Sequence, residues 1–101
     1  MTTLRAEPRV AALESVAVSN DELIAELADG RKISVPLAWY PRLLHGTALE
    51  RDNWRLIGHG EGIHWPDLDE DISADNLVFG QTSGESQSSL DRWLKNRTGG
   101  E

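Results

Sequence analysis

The chain has 101 residues, ten basic side chains against seventeen acidic ones for a formal charge of −7, and no cysteine. That balance argues against a non-specific grip on nucleic acid or an anionic membrane, and the absence of cysteine excludes disulfides, thiolate chemistry and cysteine zinc sites. No apolar run approaches the ~20 residues of a membrane span, and the Met1 to Arg5 start has no signal-peptide core, so one small cytoplasmic domain held by packing alone is expected.

Residues 1–12, with Arg5, Glu7, Pro8 and Arg9 and little periodicity, read as a mobile arm. Period-two patterning then predicts three strands: Leu13 to Ser19, Glu22 to Leu27, and Arg31 to Val35. A two-residue Asn20-Asp21 loop sets Val18 opposite Leu23 and Val16 opposite Ala25. A two-residue Asp29-Gly30 turn would set Ile33 opposite Glu26. A three-residue Ala28-Asp29-Gly30 loop, with Gly30 left-handed in a bulge, instead pairs Ala25 with Ile33 and Leu23 with Val35, and is preferred for that reason.

Pro36 ends the third strand because it has no N–H for a ladder, and Pro41 suits the first turn of a helix. The segment from Trp39 to about Gly46 offers Leu43 and Leu44 to the core, and Thr47 with Glu50 three residues on forms a capping box for a second turn through Asp52.

Next comes the densest stretch, Trp54 to Ser73. Trp54 and Leu56 alternate with Arg55 and Ile57, and Ile63 and Trp65 alternate with Gly62 and His64. With His59-Gly60 as a two-residue turn, Leu56 faces Ile63 and Trp54 faces Trp65, so four large apolar side chains share one face. A cross-strand aromatic pair adds about 0.5–1.5 kcal/mol beyond its buried area. Gly58, Gly60 and Gly62 fit turn and flank positions; no Gly-Lys-Ser/Thr follows, so they do not read as a phosphate loop.

The acidic run Asp67, Asp69, Glu70 and Asp71 is the strongest candidate site. Asp67, Asp69 and Asp71 have the spacing that opens a calcium loop, but the position requiring glycine is Ile72 and the twelfth position is Val78. The run therefore reads as a solvated, partner-facing acidic loop whose last carboxylates favour the N-terminus of the next helix. Ser73 caps that helix, Ala74 to Phe79, with Leu77 and Val78 buried and Gly80 as the stop.

Gln81 to Ser89 is polar and Ser-rich, too poor in apolar residues to fold alone. Beyond it Leu90, Trp93 and Leu94 fall at i, i+3 and i+4, the apolar stripe of a short amphipathic helix. Such a helix is marginal in isolation. It either docks on its own domain or waits for a partner.

His45, His59 and His64 show no metal spacing, and no nucleophile elbow accompanies the carboxylates. Arg42, Arg51 and Arg55 lie near Trp39, Tyr40 and Trp54; the plain expectation is that the tryptophans are core and the arginines are solvated or paired with Glu50 and Asp52. No catalytic, cofactor or metal site is assigned.

Asp29-Gly30-Arg31, Val35-Pro36-Leu37, Tyr40-Pro41-Arg42-Leu43-Leu44, Glu50-Arg51 with Asn53-Trp54, Gly58 with Gly60, and the run from Trp65 to Ser73 together resemble the small bacterial domain of unknown function 2442 over roughly Leu13 to Gly80. The resemblance implies a compact α+β fold. It also implies a setting like a toxin–antitoxin pair, because members are often encoded beside another small family. Some members add a helix-turn-helix, for which this chain leaves no room, so direct DNA recognition is not expected.

The expected architecture is α+β: a three-stranded meander plus a hairpin covered by short helices over 13–80, then a linker and amphipathic tail over 81–101. The expected function is a non-catalytic, antitoxin-like interaction module that binds a basic protein partner through Asp67, Asp69, Glu70 and Asp71 and through Leu90, Trp93 and Leu94. The alternatives are an acidic inhibitor that mimics nucleic acid and a metal- or small-ligand-binding protein.

Overall fold

The computed structural model describes residues 10–99. Strands β1 (Leu13–Val18), β2 (Glu22–Leu27) and β3 (Lys32–Pro36) form an antiparallel meander in that order. Its register has Val16 opposite Ala25 and Val18 opposite Leu23, then Leu23 opposite Val35 and Ala25 opposite Ile33. Gly30 has φ 95°, the left-handed bulge position demanded by burying one face of all three strands. A second irregularity, between Leu13 and Ser15, shifts the start of β1.

A single 3-10 turn at Leu37–Trp39 leads into α1 (Pro41–Leu44) and α2 (Ala48–Asp52). Thr47 caps α2 in a complete capping box: its hydroxyl accepts from the Glu50 N–H at 3.1 Å, and Glu50 Oε1 accepts from the Thr47 N–H at 2.8 Å. Leu43 is fully buried, whereas Leu44 is exposed. A one-turn helix presents one side to the core, and the next residue points about 100° away, so only one of the two expected leucines enters.

β4 (Arg55–Ile57) pairs with β5 (Gly62–Trp65) in the expected register, Leu56 opposite Ile63. The connection is a four-residue loop over 58–61, closed by the Glu61 N–H donating to the Ile57 carbonyl at 3.1 Å; the ladder thus stops one pair earlier than a two-residue turn would allow. The hairpin also gains a third strand. β6 (Glu70–Ser73) pairs with β5, placing Ile72 against Ile63 and Asp71 against His64. Helix α3 (Ala74–Phe79) follows directly, capped by the Ser73 hydroxyl on the Asn76 N–H at 3.0 Å and stopped by Gly80 at φ 72°. Leu77 is buried and Val78 packs partly against the core.

The two sheets meet at Gly60, whose carbonyl accepts from the Leu13 N–H at 2.8 Å. A Cβ on Gly60 would sit 2.5 Å from the Leu13 carbonyl oxygen, so the position needs glycine for close approach as well as for its φ of 89°. Trp65, Tyr40, Leu23, Leu37, Leu43, Ile63, Leu68 and Ile72 fill the space between the layers.

Of the expected mobile arm, residues 1–9 lie outside the described residues. Val10 and Ala11 pack partly against the core, and the Ala12 carbonyl accepts from the Ala28 N–H at 2.8 Å. The C-terminal segment forms α4 (Gln87–Gly99). Of the two fates open to it, α4 takes the first: Leu90 is 9% exposed and Trp93 packs against the domain core. Among the described residues no helix is long and apolar enough to cross a membrane.

Candidate functional site

The acidic run is not one solvated loop. Trp65 and Leu68 close a turn, the Leu68 N–H donating to the Trp65 carbonyl at 3.2 Å, and this buries Leu68 completely. Asp69 has φ 50°, a left-handed conformation that a short acidic side chain tolerates. From Glu70 onward the chain is strand, so successive carboxylates alternate between faces. Asp71 meets His64 Nδ1 on the outer face, a cross-strand pair. It is therefore not available to the N-terminus of α3, whose first-turn acid is Asp75. Glu70 sits opposite Trp65, on the face of the sheet that carries the core. Asp67 is exposed and accepts from Asn53 Nδ2 at 2.9 Å.

The outward acids of the turn are thus Asp67 and Asp69, with Asp71 on the adjoining strand and Glu70 turned inward. Asp69 carries a side chain 88% exposed, with Oδ2 3.6 Å from the Arg42 guanidinium.

Arg42 joins this turn to α4. Its Nη1 donates to the carbonyls of Leu68 and Asp69 at 3.3 Å each. Its Nη2 donates to Glu85 Oε2 at 2.6 Å, and its Nε to Glu85 Oε1 at 2.9 Å. This two-pronged contact is the geometry in which arginine binds a carboxylate best. Glu85 also accepts from the Ser89 hydroxyl at 2.7 Å, in the first turn of α4. The Arg42 guanidinium lies 4.9 Å from the Trp93 ring centroid, and that of Arg97 lies 4.7 Å from it. Arg97 in turn binds Glu50 with both terminal nitrogens, at 2.9 and 3.1 Å. Helix α4 is therefore fastened at both ends of Trp93 by arginine–carboxylate pairs.

Electrostatics follow from this packing. Burial pushes the Glu70 carboxyl up to about 7; nearby Arg42 pulls it down, and Glu85, Asp71 and Asp69 push it further up. Glu85 is held below the usual carboxylate range by its hydrogen bond from Arg42, and Glu50 by its hydrogen bond from Arg97. Tyr40, buried beside this group, has its phenol raised chiefly by desolvation, and it donates to the Gln81 carbonyl at 2.7 Å.

The expectation that the arginines are solvated or paired with Glu50 and Asp52 fits Arg55, which is exposed, and is corrected for Arg42 and Arg51. Arg51 is buried, with Nε on the Leu43 carbonyl at 2.9 Å, Nη2 on the Leu44 carbonyl at 2.8 Å and Nη1 on Asn20 Oδ1 at 3.1 Å. It satisfies the orphan carbonyls at the end of α1. Glu50 is taken by Arg97, and the aromatic partner of Arg42 is Trp93 rather than Trp39, Tyr40 or Trp54. Glu85 stood in a Ser-rich segment that read as linker, and nothing local marked it as a partner for Arg42.

Leu90, Trp93 and Leu94 lie together on α4, away from Asp67 and Asp71 in the chain and connected to the acidic turn through Arg42. Among the described residues no three His, Asp or Glu side chains converge so as to hold a metal ion. His64 pairs with Asp71.

A family model described as a protein of unknown function (DUF2442) matches residues 13–83. The chain belongs to that family. Two solved structures share its α+β fold. The crystal structure of a protein of unknown function from Rhodospirillum rubrum is 21% identical, covers 79% of this chain and 96% of its own, and has a TM-score of 0.64. The solution NMR structure of an uncharacterized protein from Chromobacterium violaceum is 19% identical, covers 80% and 74% respectively, and has a TM-score of 0.62. A comparison with curated proteins finds no match. Glu85 and α4 lie beyond the family match, whereas Arg42 lies within it.

Proposed function

We propose that this chain is a non-catalytic protein-interaction module, antitoxin-like in its mode of action, which binds a basic protein through the acidic turn. The observation that carries the reading is the exposure of Asp67 and Asp69 on one tight turn and of Asp71 on the strand that follows, with Asp69 held outward by a left-handed backbone. Exposed charge of one sign speeds encounter with an oppositely charged partner and sets the salt dependence of the complex. The net charge of −7 acts in the same direction. Leu90, Trp93 and Leu94 join that partner surface only in a state in which α4 has left its own domain.

The test is capture of partners from host lysate at low and high salt by the wild-type chain and by an Asp67→Asn, Asp69→Asn, Asp71→Asn variant. A small basic protein held by the wild type at low salt and lost by the variant supports the reading. Equal capture by both, or a complex indifferent to salt, removes it. A large nucleic-acid enzyme released by salt would favour the mimic instead.

A further inference from the structure

We propose that α4 is a latch on the domain, its closure set by competition between Glu85 and the Asp69–Glu70 turn for the single guanidinium of Arg42. The inference stands independently of the partner reading above.

The geometry is a shared cation. Arg42 gives Nε and Nη2 to Glu85, which precedes α4 by two residues, and gives Nη1 to the carbonyls of Leu68 and Asp69. The side chain of Asp69 lies at 3.6 Å, and Glu70 follows it as the first residue of β6. Two carboxylates and two backbone carbonyls thus share one guanidinium, with the Glu70 carboxyl within its electrostatic reach. Trp93 stacks on that same guanidinium, so the site that binds Glu85 also seats the helix.

The tether permits release. Gln81 and Ser83 are fixed by the Asn76 and Trp39 carbonyls, at 2.8 and 3.0 Å, but a Cβ on Gly84 would meet nothing within 4 Å. The chain between this fixed segment and α4 is therefore short and held chiefly through Glu85. Opening the latch removes Glu85 from Arg42, exposes Trp93 and Leu90, and leaves Arg42 to the turn.

Protonation of Glu70 is linked to this equilibrium. In the closed state burial lifts Glu70 to about 7, Arg42 opposes the lift, and Glu85, Asp71 and Asp69 add to it. Opening withdraws the Glu85 charge and leaves Arg42 to the turn, and both changes lower the Glu70 value from about 7. A group whose value is higher in the closed state stabilises closure fully below its open-state value. That stabilisation is lost as pH rises from there to about 7 and is level beyond. The groups whose charge acts on Glu70, or on which Glu70 acts, are Tyr40, Arg42, Asp69 and Glu85 and, from the opposite face of the sheet, Asp71, which His64 meets there.

The test is hydrogen exchange of the full chain at pH 5 and pH 8, with protection corrected for the intrinsic rate at each pH. The readout is α4 relative to β2 and β5. Protection of α4 is expected to fall between the two, by up to about tenfold per pH unit within the window, while the strands hold. Glu70→Gln should keep α4 protected at pH 8, and Glu85→Gln should leave it open at both. The proposal is overturned if α4 exchanges together with the strands at both pH values, or if Glu70→Gln shows the same pH dependence as wild type. Circular dichroism of each variant at the two pH values separates loss of the latch from loss of the fold.

Discussion

The indole N–H of Trp65 donates to the backbone carbonyl of Arg51 at 3.0 Å, while the side chain of Arg51 binds the carbonyls of Leu43 and Leu44. One arginine thus ties α1, α2 and β5 together, its backbone satisfying the buried indole and its guanidinium satisfying a helix end. Trp65→Phe leaves the Arg51 carbonyl without its donor and a void beside it. The expected loss is about 2–4 kcal/mol, measured by urea unfolding. Arg51→Lys should cost almost as much, since an ammonium has no fork to span the two carbonyls and Asn20.

Gly60 and Gly30 both have positive φ, at 89° and 95°, but differ in surroundings. Gly30→Ala meets open space and should cost roughly 1–2 kcal/mol for the left-handed backbone alone. Gly60→Ala also drives a Cβ to 2.5 Å from the Leu13 carbonyl and must separate the two sheets. It should destabilise by clearly more than Gly30→Ala in the same melt; equal losses would show that the junction yields freely.

Glu50 serves two contacts, the capping box of α2 and the ion pair with Arg97. Thr47→Ala removes only the cap and should cost about 1 kcal/mol without altering exchange at α4. Glu50→Ala should produce a similar global loss and, in addition, faster exchange at the C-terminal half of α4. A common effect of both variants on α4 would mean that Thr47 holds the Arg97 contact indirectly.

Acid should open α4 by a second route. The pairs Arg42–Glu85 and Arg97–Glu50 hold both carboxyls below their ordinary value of 4.5. For a lowered group the stabilisation is present above the open-state value and lost as pH falls through the closed-state value. Protection of α4 should therefore decline below the ordinary carboxylate range as well as on the approach to pH 7, giving a maximum in between. Arg97→Gln should remove the Glu50 part of the acid limb and leave the Glu70 limb in place.

The registers of β1 with β2, β2 with β3 and β4 with β5, the bulge at Gly30, the capping box at Thr47 and the cap and stop of α3 were all legible in the sequence. Each depends on neighbours a few residues apart and on the requirement that apolar side chains share one face. The third strand of the second sheet was not legible, because Glu70 and Asp71 are acids that read as loop, and only pairing with β5 makes strand of them. That pairing split the acidic run, turning Glu70 inward beside Trp65 and Asp71 outward to His64. Leu44 points away because α1 is one turn long, a limit that neither apolar character nor spacing reveals.

The sequence by itself determined local geometry: five of the six strands, the bulge at Gly30, the caps and the apolar stripe of α4. Only the tertiary structure decided what that stripe covers and what neutralises the acids, since Arg42 reaches Glu85 and Trp93 across the fold. Backbone periodicity and capping act over a few residues, whereas an arginine shared by two distant carboxylates and an indole acquires its role only when the chain has brought them within about 5 Å of one another.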